Sequence, residues 1–325
     1  MIHIALPTPQ TRNLTFYLAM EEYVARHKNT DDDCFFMWQV PPTVIFGRNQ
    51  LIENEVNLSY CRKHHIKMYR RKSGGGCVYA DMGNVMVSYI TRDEQVNMTF
   101  NRYVNAMVFA LYKLGINAHA SGRNDILIEG RKVSGCAFYH IPGHSIVHGT
   151  LLYDTDMQNM SMSITPSKAK LASKGVESIR QHIALLKDYT TLPLEDVKAH
   201  FLSLLCDKEI VLDEEDLLRI EEIEQEYLNP DFIYGNNPRY TLTRQKRIEG
   251  VGNIELRMEL KNDIIKQVNI MGDFFVVGDI DNRLLRPLRN VPYNEASVRA
   301  ALPPRLDDLI LHLETNDFIN LIFKN

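Results

Sequence analysis

The sequence predicts an α+β protein with two unequal parts. Residues 125–153 contain three successive strand-like segments joined by short turns, which indicates antiparallel pairing. Amphipathic helical segments precede and follow these strands, so we expect a mixed or antiparallel sheet with flanking helices. The breaker-rich stretch 229–238 then separates a second, smaller α+β group. We therefore expect one domain over residues 1–240 and another over residues 241–325.

The elements of the larger part follow from local patterns. Helical spacing of apolar residues predicts helices, and β-branched or aromatic runs predict strands. The predicted helices span 11–27, 58–65, 101–115, 167–188, 193–206 and 213–228. The predicted strands span 34–40, 43–46, 66–69, 85–90, 125–128, 132–138 and 145–153. We interpret Pro41-Pro42 as the turn of a hairpin that joins the first two strands.

The smaller part begins with alternating or apolar runs, which predict a small sheet. Its strands are expected at 240–247, 251–260 and 264–271, with turns at Gly250 and at Asn262-Asp263. Helices are expected at 294–302 and 306–313.

Composition limits the classes of function. The 325 residues are 45% hydrophobic and 24% charged, as in soluble globular proteins. The net charge of −4 argues against binding to a nucleic-acid polymer or an anionic membrane. We expect no transmembrane segment and no signal peptide. The five cysteines are scattered without a CxxC pair, which favours a reduced, cytoplasmic protein without a disulfide framework or a structural zinc site.

The first segment with a candidate chemical role is a glycine triplet that follows a short run of basic residues. It reads Arg70-Arg71-Lys72-Ser73-Gly74-Gly75-Gly76 and lies between two predicted strands. Glycines leave backbone N–H groups open to a closely approaching anion, and the cations before them suit a phosphate or carboxylate. The segment matches neither a Walker A loop nor a Rossmann fingerprint. A flexible, solvated loop is the alternative.

Three further segments are weaker signals on their own. Lys132 lies on a strand beside a tight turn, where a lysine can neutralise developing charge, although most lysines are surface residues. His148 precedes Gly149, and we expect it either to contact a ligand or to have only a structural role. The basic stretch 168–180 contains Gly175 and forms either a mobile phosphate-covering segment or a solvated helix.

Taken together and in this order, these segments resemble the lipoate–protein ligase A family. RRKSGGGCVY with Asp81 and Gly83-Asn84 is similar to the family's RRxSGGGxVYHDxGN. GRNDI…GRKVSG…HGTLL resembles its lysine segment, and TVIFGRNQ and LASKGVESIR resemble two further motifs. Residues 241–325 resemble the C-terminal accessory domain of the bacterial enzymes.

The resemblance implies a biotin-ligase-like catalytic domain and a reaction in two steps. Lipoate and ATP, with Mg²⁺, would give lipoyl-AMP and pyrophosphate, and the acyl group would then pass to a lysine amine. The implied protein substrates are lipoyl domains of 2-oxoacid dehydrogenase complexes and the glycine-cleavage H protein.

The resemblance also implies roles for individual residues. Lys132 would be catalytic and would contact both the nucleotide and the acyl group. The other ATP-binding residues would be Arg71, Gly76, Cys77, Val78, Tyr79 and Asp125. The other lipoate-binding residues would be Trp38, Arg48, Ser73, Gly74, Gly75 and His148. The adenylate-covering loop would include Lys168, Lys170, Lys174 and Gly175, and no protein ligand is assigned to the metal that accompanies ATP. From its residue type alone, Trp38 is equally expected to be a core residue.

The chain departs from the family pattern at Leu51, Ala80, Met86 and His182, each of which replaces a polar residue. These departures leave the acyl chain and the preferred carrier open. Two other functions also stay open at this point. An octanoyl or lipoyl transferase would use a cysteine nucleophile without ATP, and a non-catalytic paralogue would only bind the lipoyl group.

Overall fold

The computed structural model describes residues 1–28, 31–92, 96–121, 124–164, 182–234 and 241–324. It divides into two compact units. The larger comprises Met1–Phe46, Ile52–Arg71 and Cys77–Ile233, and the smaller comprises Gly47–Leu51, Lys72–Gly76 and Tyr234–Asn325. A domain boundary at residue 240 stays a prediction, because residues 235–240 lie outside the described ranges.

An eight-stranded sheet forms the centre of the larger unit, and the predicted α+β class is confirmed. Its strands are β1 (Ile2–Ala5), β2 (Cys34–Trp38), β6 (Asn84–Thr91), β7 (Ala118–Ala120), β8 (Asp125–Ile128), β9 (Arg131–Ile141), β10 (His144–Leu152) and β11 (Lys208–Val211). Their order is β11-β1-β2-β6-β10-β9-β8-β7. Within this order, every neighbouring pair in the run β2-β6-β10-β9-β8-β7 is antiparallel. Strand β1 instead runs parallel to both of its neighbours, β11 and β2. Strand β6 is buried along its whole length.

A second sheet corrects the predicted hairpin around Pro41-Pro42. Strand β3 (Thr43–Phe46) does not pair with β2; it lies between β4 (Lys67–Arg70) and β5 (Val78–Ala80), parallel to the first and antiparallel to the second. All four residues of β3 are buried. A fully buried strand of this kind needs cover on both faces, and the two prolines interrupt the ladder that a hairpin would require.

The helices of the larger unit cover the sheets. They are α1 (Leu14–His27), α2 (Ile52–Glu55), α3 (Leu58–Lys63), α4 (Val96–Lys113), α5 (Met157–Ser163), α6 (Leu194–Leu205), α7 (Glu214–Leu228) and α8 (Pro230–Tyr234). Helix α1 is buried from Leu14 to Ala25 and packs on β6, β10 and α7. Most of the helix predicted at 167–188 lies outside the described residues, and the prediction is wrong over 183–188, where Ile183 forms a β-bridge and Leu186–Asp188 form a 3₁₀ turn.

The smaller unit has the predicted three-stranded antiparallel sheet, with β12 (Leu242–Ile248), β13 (Gly252–Lys261) and β14 (Ile264–Gly272). It also contains a π-helical turn (Asp281–Leu285), α9 (Glu295–Ala301) and α10 (Thr315–Phe323). The helix predicted at 306–313 is wrong. Ile310 instead forms a bridge to Val276, and the backbone amide of His312, at φ 63°, donates to the Asp307 carboxylate. No described helix has the length and apolar character needed to cross a bilayer.

A buried carboxylate anchors α7 to α1. Asp216 forms a reciprocal capping box with Asp213, and it accepts hydrogen bonds from the Tyr23 hydroxyl and, at 2.7 Å, from the Lys28 ammonium. Burial alone would raise the pKa of Asp216, but the bonds from Lys28, Tyr23 and the Asp213 backbone lower it below its ordinary value. The carboxylate therefore stabilises the fold only while it is ionised.

We expect Asp216→Asn to lower the free energy of unfolding by about 1–3 kcal/mol at neutral pH. Because the folded-state pKa is depressed, this stabilisation is present above the unfolded pKa of about 3.9 and is lost as the pH falls through the folded value. Urea denaturation at pH 7 and at acidic pH measures it. Glu215→Gln is the matched control, since its exposed pair with Arg219 contributes little. Equal effects of the two changes at pH 7 would contradict the prediction.

Candidate active site

Lys132 lies at the start of β9, where the larger unit fixes it from two sides. Its backbone carbonyl accepts a 2.8 Å hydrogen bond from Ala184, and its ammonium forms a 2.8 Å ion pair with Asp125 at the start of β8. The pairing of β8 with β9 shifts register between Ile126 and Leu127. Both charged side chains stay about one third exposed, so a ligand from solvent can reach the ammonium.

Gly135 provides the space that the Lys132 side chain occupies. A Cβ atom at this position would lie 2.6 Å from both Cε and Nζ of Lys132. Any side chain at residue 135 would therefore displace the ammonium from Asp125. The glycine is required by this close approach, which is not evident from a single sequence.

A chain of buried polar groups crosses the face of the central strands. The indole of Trp38 donates to the Ser88 hydroxyl at 2.8 Å, and Ser88 donates to the Glu21 carboxylate at 2.6 Å. The other Glu21 oxygen is 2.9 Å from Nδ1 of His148. Ser88 lies opposite His148 in the pairing of β6 with β10, so neighbouring strands supply two of these groups on one face. Trp38, which lies outside the quoted motifs, and His148 thus belong to one network.

Trp38 is also a core residue. Its ring is buried and stacks on Tyr17, with 4.5 Å between ring centroids and 16° between planes. The expectation of a core residue is therefore confirmed, whereas contact of Trp38 with lipoate stays a prediction.

The residues before and after the glycines belong to the sheet of β3, β4 and β5, or lie directly beside it. Arg71 is buried, its amide donates to the carbonyl of Phe46, and its guanidinium donates to the carbonyl of Ile45 at 3.2 Å. Burial lowers the pKa of Arg71 to about 10, so the guanidinium stays charged at neutral pH. Val78 and Tyr79 pair with β3, which fixes the backbone after Cys77.

The glycines themselves belong to the smaller unit. Gly75 adopts a φ of 86° and donates to the carbonyl of Phe274 at 3.1 Å, and a Cβ on Gly74 would lie 2.5 Å from the same oxygen. Ser73 is buried, and its carbonyl accepts from the amide of Arg48. The Arg48 side chain is about half exposed and lies 4.0 Å from the Asp281 carboxylate. A Cβ on Gly76 would meet open space.

The cysteines near the predicted motifs are poor nucleophiles. Burial raises the pKa of Cys136, whose thiol donates to the carbonyl of Asn124 at 3.1 Å. Burial also raises the pKa of Cys77. Because the thiolate is the reactive form, both residues are suited to packing.

Some predicted site residues cannot be placed, and others were not predicted. Lys168, Lys170, Lys174 and Gly175 lie outside the described residues. The sequence reasoning missed Glu21, Ser88 and Gly135. Glu21 had a detectable signal, since it is an acidic residue among the apolar positions of an otherwise buried helix.

Comparison with known proteins gives two family matches. Residues 13–205 match the family described as lipoyl protein ligase A/B catalytic domain, and residues 237–322 match bacterial lipoate protein ligase C-terminus. The chain is 33% identical to lipoate-protein ligase LplJ of Bacillus subtilis over 322 residues, which cover 94% of this chain and 96% of that protein. It is 34% identical to lipoate–protein ligase 1 of Staphylococcus aureus, covering 87% and 90% of the two chains.

Solved structures share the fold. The LipL1 protein of P. falciparum, crystallised in complex with lipoate, superposes with a TM-score of 0.77 at 20% identity and covers 98% of this chain and 97% of its own. A lipoate-protein ligase A bound with ATP gives a TM-score of 0.62 at 23% identity, with 72% and 98% covered. An archaeal bi-partite ligase from Thermoplasma acidophilum, described with its E2 lipoyl domain, gives 0.65 at 25% identity, with 74% and 98% covered.

We expect Trp38→Phe and Ser88→Ala each to lower the free energy of unfolding by about 1–2 kcal/mol, because each removes a link in a buried hydrogen-bonded chain. The double variant should be destabilised by less than the sum of the single changes, with a coupling of at least about 0.5 kcal/mol. Urea denaturation of the four proteins measures this cycle. Strict additivity would show that the chain does not act as a unit.

Proposed function

The chain belongs to the lipoate–protein ligase family, and we propose that it converts lipoate and ATP to lipoyl-AMP and pyrophosphate, then transfers the lipoyl group to a lysine amine of a carrier domain. The observation that carries this reaction is the Lys132 ammonium. It is accessible, it is fixed on a strand, and it is held by a carboxylate that can release it to a more highly charged ligand.

The first step brings two anions together, because the lipoate carboxylate must attack the α-phosphate of ATP. A preorganised cation stabilises the charge that develops on phosphate and acyl oxygens in that transition state. In the second step the amine attacks the acyl carbonyl and AMP leaves. The same ammonium can stabilise the carbonyl oxygen and the departing phosphate, so one lysine serves both steps.

We assign the nucleotide to Arg71, the backbone of Gly76–Tyr79, Lys132 and Asp125. Arg71 remains charged although it is buried, which favours a phosphate in its vicinity. Mg²⁺ is expected to accompany the triphosphate, since this ion is usually held by one or two carboxylates together with substrate phosphates. The Asp125 carboxylate beside Lys132 fits that donor set, and the ion would supply further neutralisation of phosphate charge.

We assign the lipoyl group to the remaining predicted residues, which are Trp38, Arg48, Ser73, Gly74, Gly75 and His148. Trp38 and His148 are linked through Ser88 and Glu21, so their orientations depend on each other. The apolar ring of Trp38 suits the hydrocarbon part of the acyl chain.

The proposed protein substrates are lipoyl domains of 2-oxoacid dehydrogenase complexes and the glycine-cleavage H protein. Support comes from the ligase relatives and from the archaeal neighbour that is described with its E2 lipoyl domain.

The structure favours a ligase over the two alternatives. A transferase needs a thiolate, whereas burial raises the pKa of both cysteines close to the motifs. A protein that only binds the lipoyl group has no need of an ammonium held beside an exchangeable carboxylate on a rigid strand.

Lys132→Ala should reduce lipoate-dependent ATP–pyrophosphate exchange by at least about 100-fold, because the stabilising charge is lost from the transition state. Exchange of radiolabelled pyrophosphate into ATP measures it, and urea denaturation checks that the variant is folded. Lys208→Ala is the control, since that lysine is exposed and pairs with Asp32. Wild-type exchange by the Lys132 variant would remove its catalytic assignment. Acyl transfer without any exchange in the wild-type protein would identify a transferase.

Gly135→Ala should leave the protein folded but reduce the exchange rate by about 10–100-fold, because the added Cβ displaces the Lys132 ammonium. Gly143→Ala is the matched control in the turn between β9 and β10. It is strained by its φ of 79° but meets no atom within 4 Å, so it should lower stability and spare exchange. Equal losses of exchange in the two variants would contradict a role for Gly135 in positioning Lys132.

A further inference from the structure

The direction of the Lys132 side chain depends on an irregularity in the pairing of β8 with β9. Two successive residues of β8 pair with Ser134 and with Lys132, so Val133 is an extra residue in β9. In a regular strand, residues three positions apart point to opposite faces, and a bulge changes that relation. The Lys132 ammonium nevertheless reaches the place of a Cβ on Gly135, three positions further along. The bulge therefore sets the face on which the ammonium lies.

Strand β9 begins immediately after a tight turn that its sequence favours only weakly. Ile128 pairs with Arg131 around Glu129 and Gly130, whose φ angles are 51° and 76°. These values identify a type I′ turn, for which Asn-Gly is a preferred sequence. Glutamate rarely adopts a positive φ, because its Cβ then crowds the backbone. Since the turn determines the register of a hairpin, a shift in this turn would redirect Lys132.

The Tyr189 hydroxyl connects the two ends of this turn. It accepts a hydrogen bond from the Arg131 guanidinium and donates one of 3.0 Å to the Glu129 carboxylate. The guanidinium also lies 5.9 Å from the centre of the Tyr189 ring and 3.4 Å from the Glu129 carboxylate. A single exposed ion pair contributes little, but these three groups bond to one another. Contacts from outside the turn thus hold a conformation that its own residues do not prefer.

Tyr189 is itself held in place by a segment that is bonded to the strands. Its amide donates to the carbonyl of Leu186, which is fully buried. In the same segment the amide of Ala184 donates to the carbonyl of Lys132, and a second amide donates to the carbonyl of Tyr153, just after β10. The segment therefore contacts Lys132 directly through Ala184 and indirectly through the turn.

We propose that Tyr189 is a positioning residue for Lys132. Its hydroxyl holds the Glu129-Gly130 turn, the turn fixes the bulged register of β8 with β9, and that register directs the ammonium. Tyr189 acts through this strand and not by contact with a substrate. The inference rests on the catalytic assignment of Lys132 in the proposed function.

The first test is lipoate-dependent ATP–pyrophosphate exchange by Tyr189→Phe, which keeps the ring and removes only the hydroxyl. We expect kcat to fall about 10-fold and the KM values for ATP and lipoate to change less than about twofold, because a displaced catalytic group loses transition-state stabilisation. Tyr153→Phe is the matched control, since its hydroxyl donates to the carbonyl of Leu192 and not to the turn. An unchanged kcat in Tyr189→Phe, or an equal fall in the control, would overturn the inference.

A second change distinguishes positioning from a general loss of structure. Glu129→Asn creates the Asn-Gly sequence that type I′ turns prefer, so it stabilises the turn without the Tyr189 hydroxyl. Added to Tyr189→Phe, it should restore kcat to at least about half of the wild-type value, because the turn regains its geometry. Glu129→Gln, which also removes the charge but has no such turn preference, should not restore it. Failure of the asparagine to rescue kcat, or equal rescue by the glutamine, would contradict a role through the turn.

Hydrogen exchange of the Ala184 amide reports on Lys132 without catalysis, since that amide donates to the Lys132 carbonyl. In the full chain without substrates, Tyr189→Phe should make this amide exchange about 10-fold faster, because local opening becomes easier. Addition of Glu129→Asn should reverse the change. An unchanged rate in Tyr189→Phe would refute the positioning role. Absence of pyrophosphate exchange in the wild-type protein would instead count against the proposed ligase reaction alone, because the amide measurement does not depend on it.

Discussion

The pairing register of β10 with its two neighbours is the constraint on which the larger unit depends. It places His148 opposite Ser88 on one side and Gly149 opposite Cys136 on the other. Side chains alternate between the two faces of a strand, so a shift of β10 by one residue would turn its own side chains, His148 among them, to the opposite face. The polar chain from Trp38 to His148 exists only in the observed register, and so does its contact with Glu21 on the helix packed against that face.

Local sequence patterns were sufficient to predict those elements whose conformation is determined by their own residues. The long buried strands, the amphipathic helices and the turn at Asn262-Asp263 were predictable. The spacing of apolar residues and the residue preferences of tight turns are both local properties of the sequence. Both turn residues adopt positive φ, as that kind of tight turn requires. The basic glycine segment and Lys132 were identified from motifs, and the structure shows how the backbone holds each of them.

Features set by distant parts of the chain were not predictable. Whether β3 pairs with β2 or with β4 and β5 depends on segments more than 20 residues away. The segment at 306–313 has helical spacing, but its bridge to Val276 and the bond from His312 to Asp307 favour turns. Gly135 is required only because the side chain three residues earlier folds back over it. In each case tertiary contacts override a local preference.

The smaller unit is assembled from three stretches of chain, and this affects how such proteins can be recombined. The carbonyl of Phe274 accepts from Gly75, and the amide of Gly272 donates to the carbonyl of Asn49. A gene fusion that joined residues 1–240 to a foreign C-terminal part would separate both bonded pairs, although the junction would fall outside every described strand and helix. Exchange of modules at this junction would therefore require compensating changes at residues 47–51 and 72–76, which lie far upstream of the junction in the sequence. The two parts of this chain are thus expected to be inherited together.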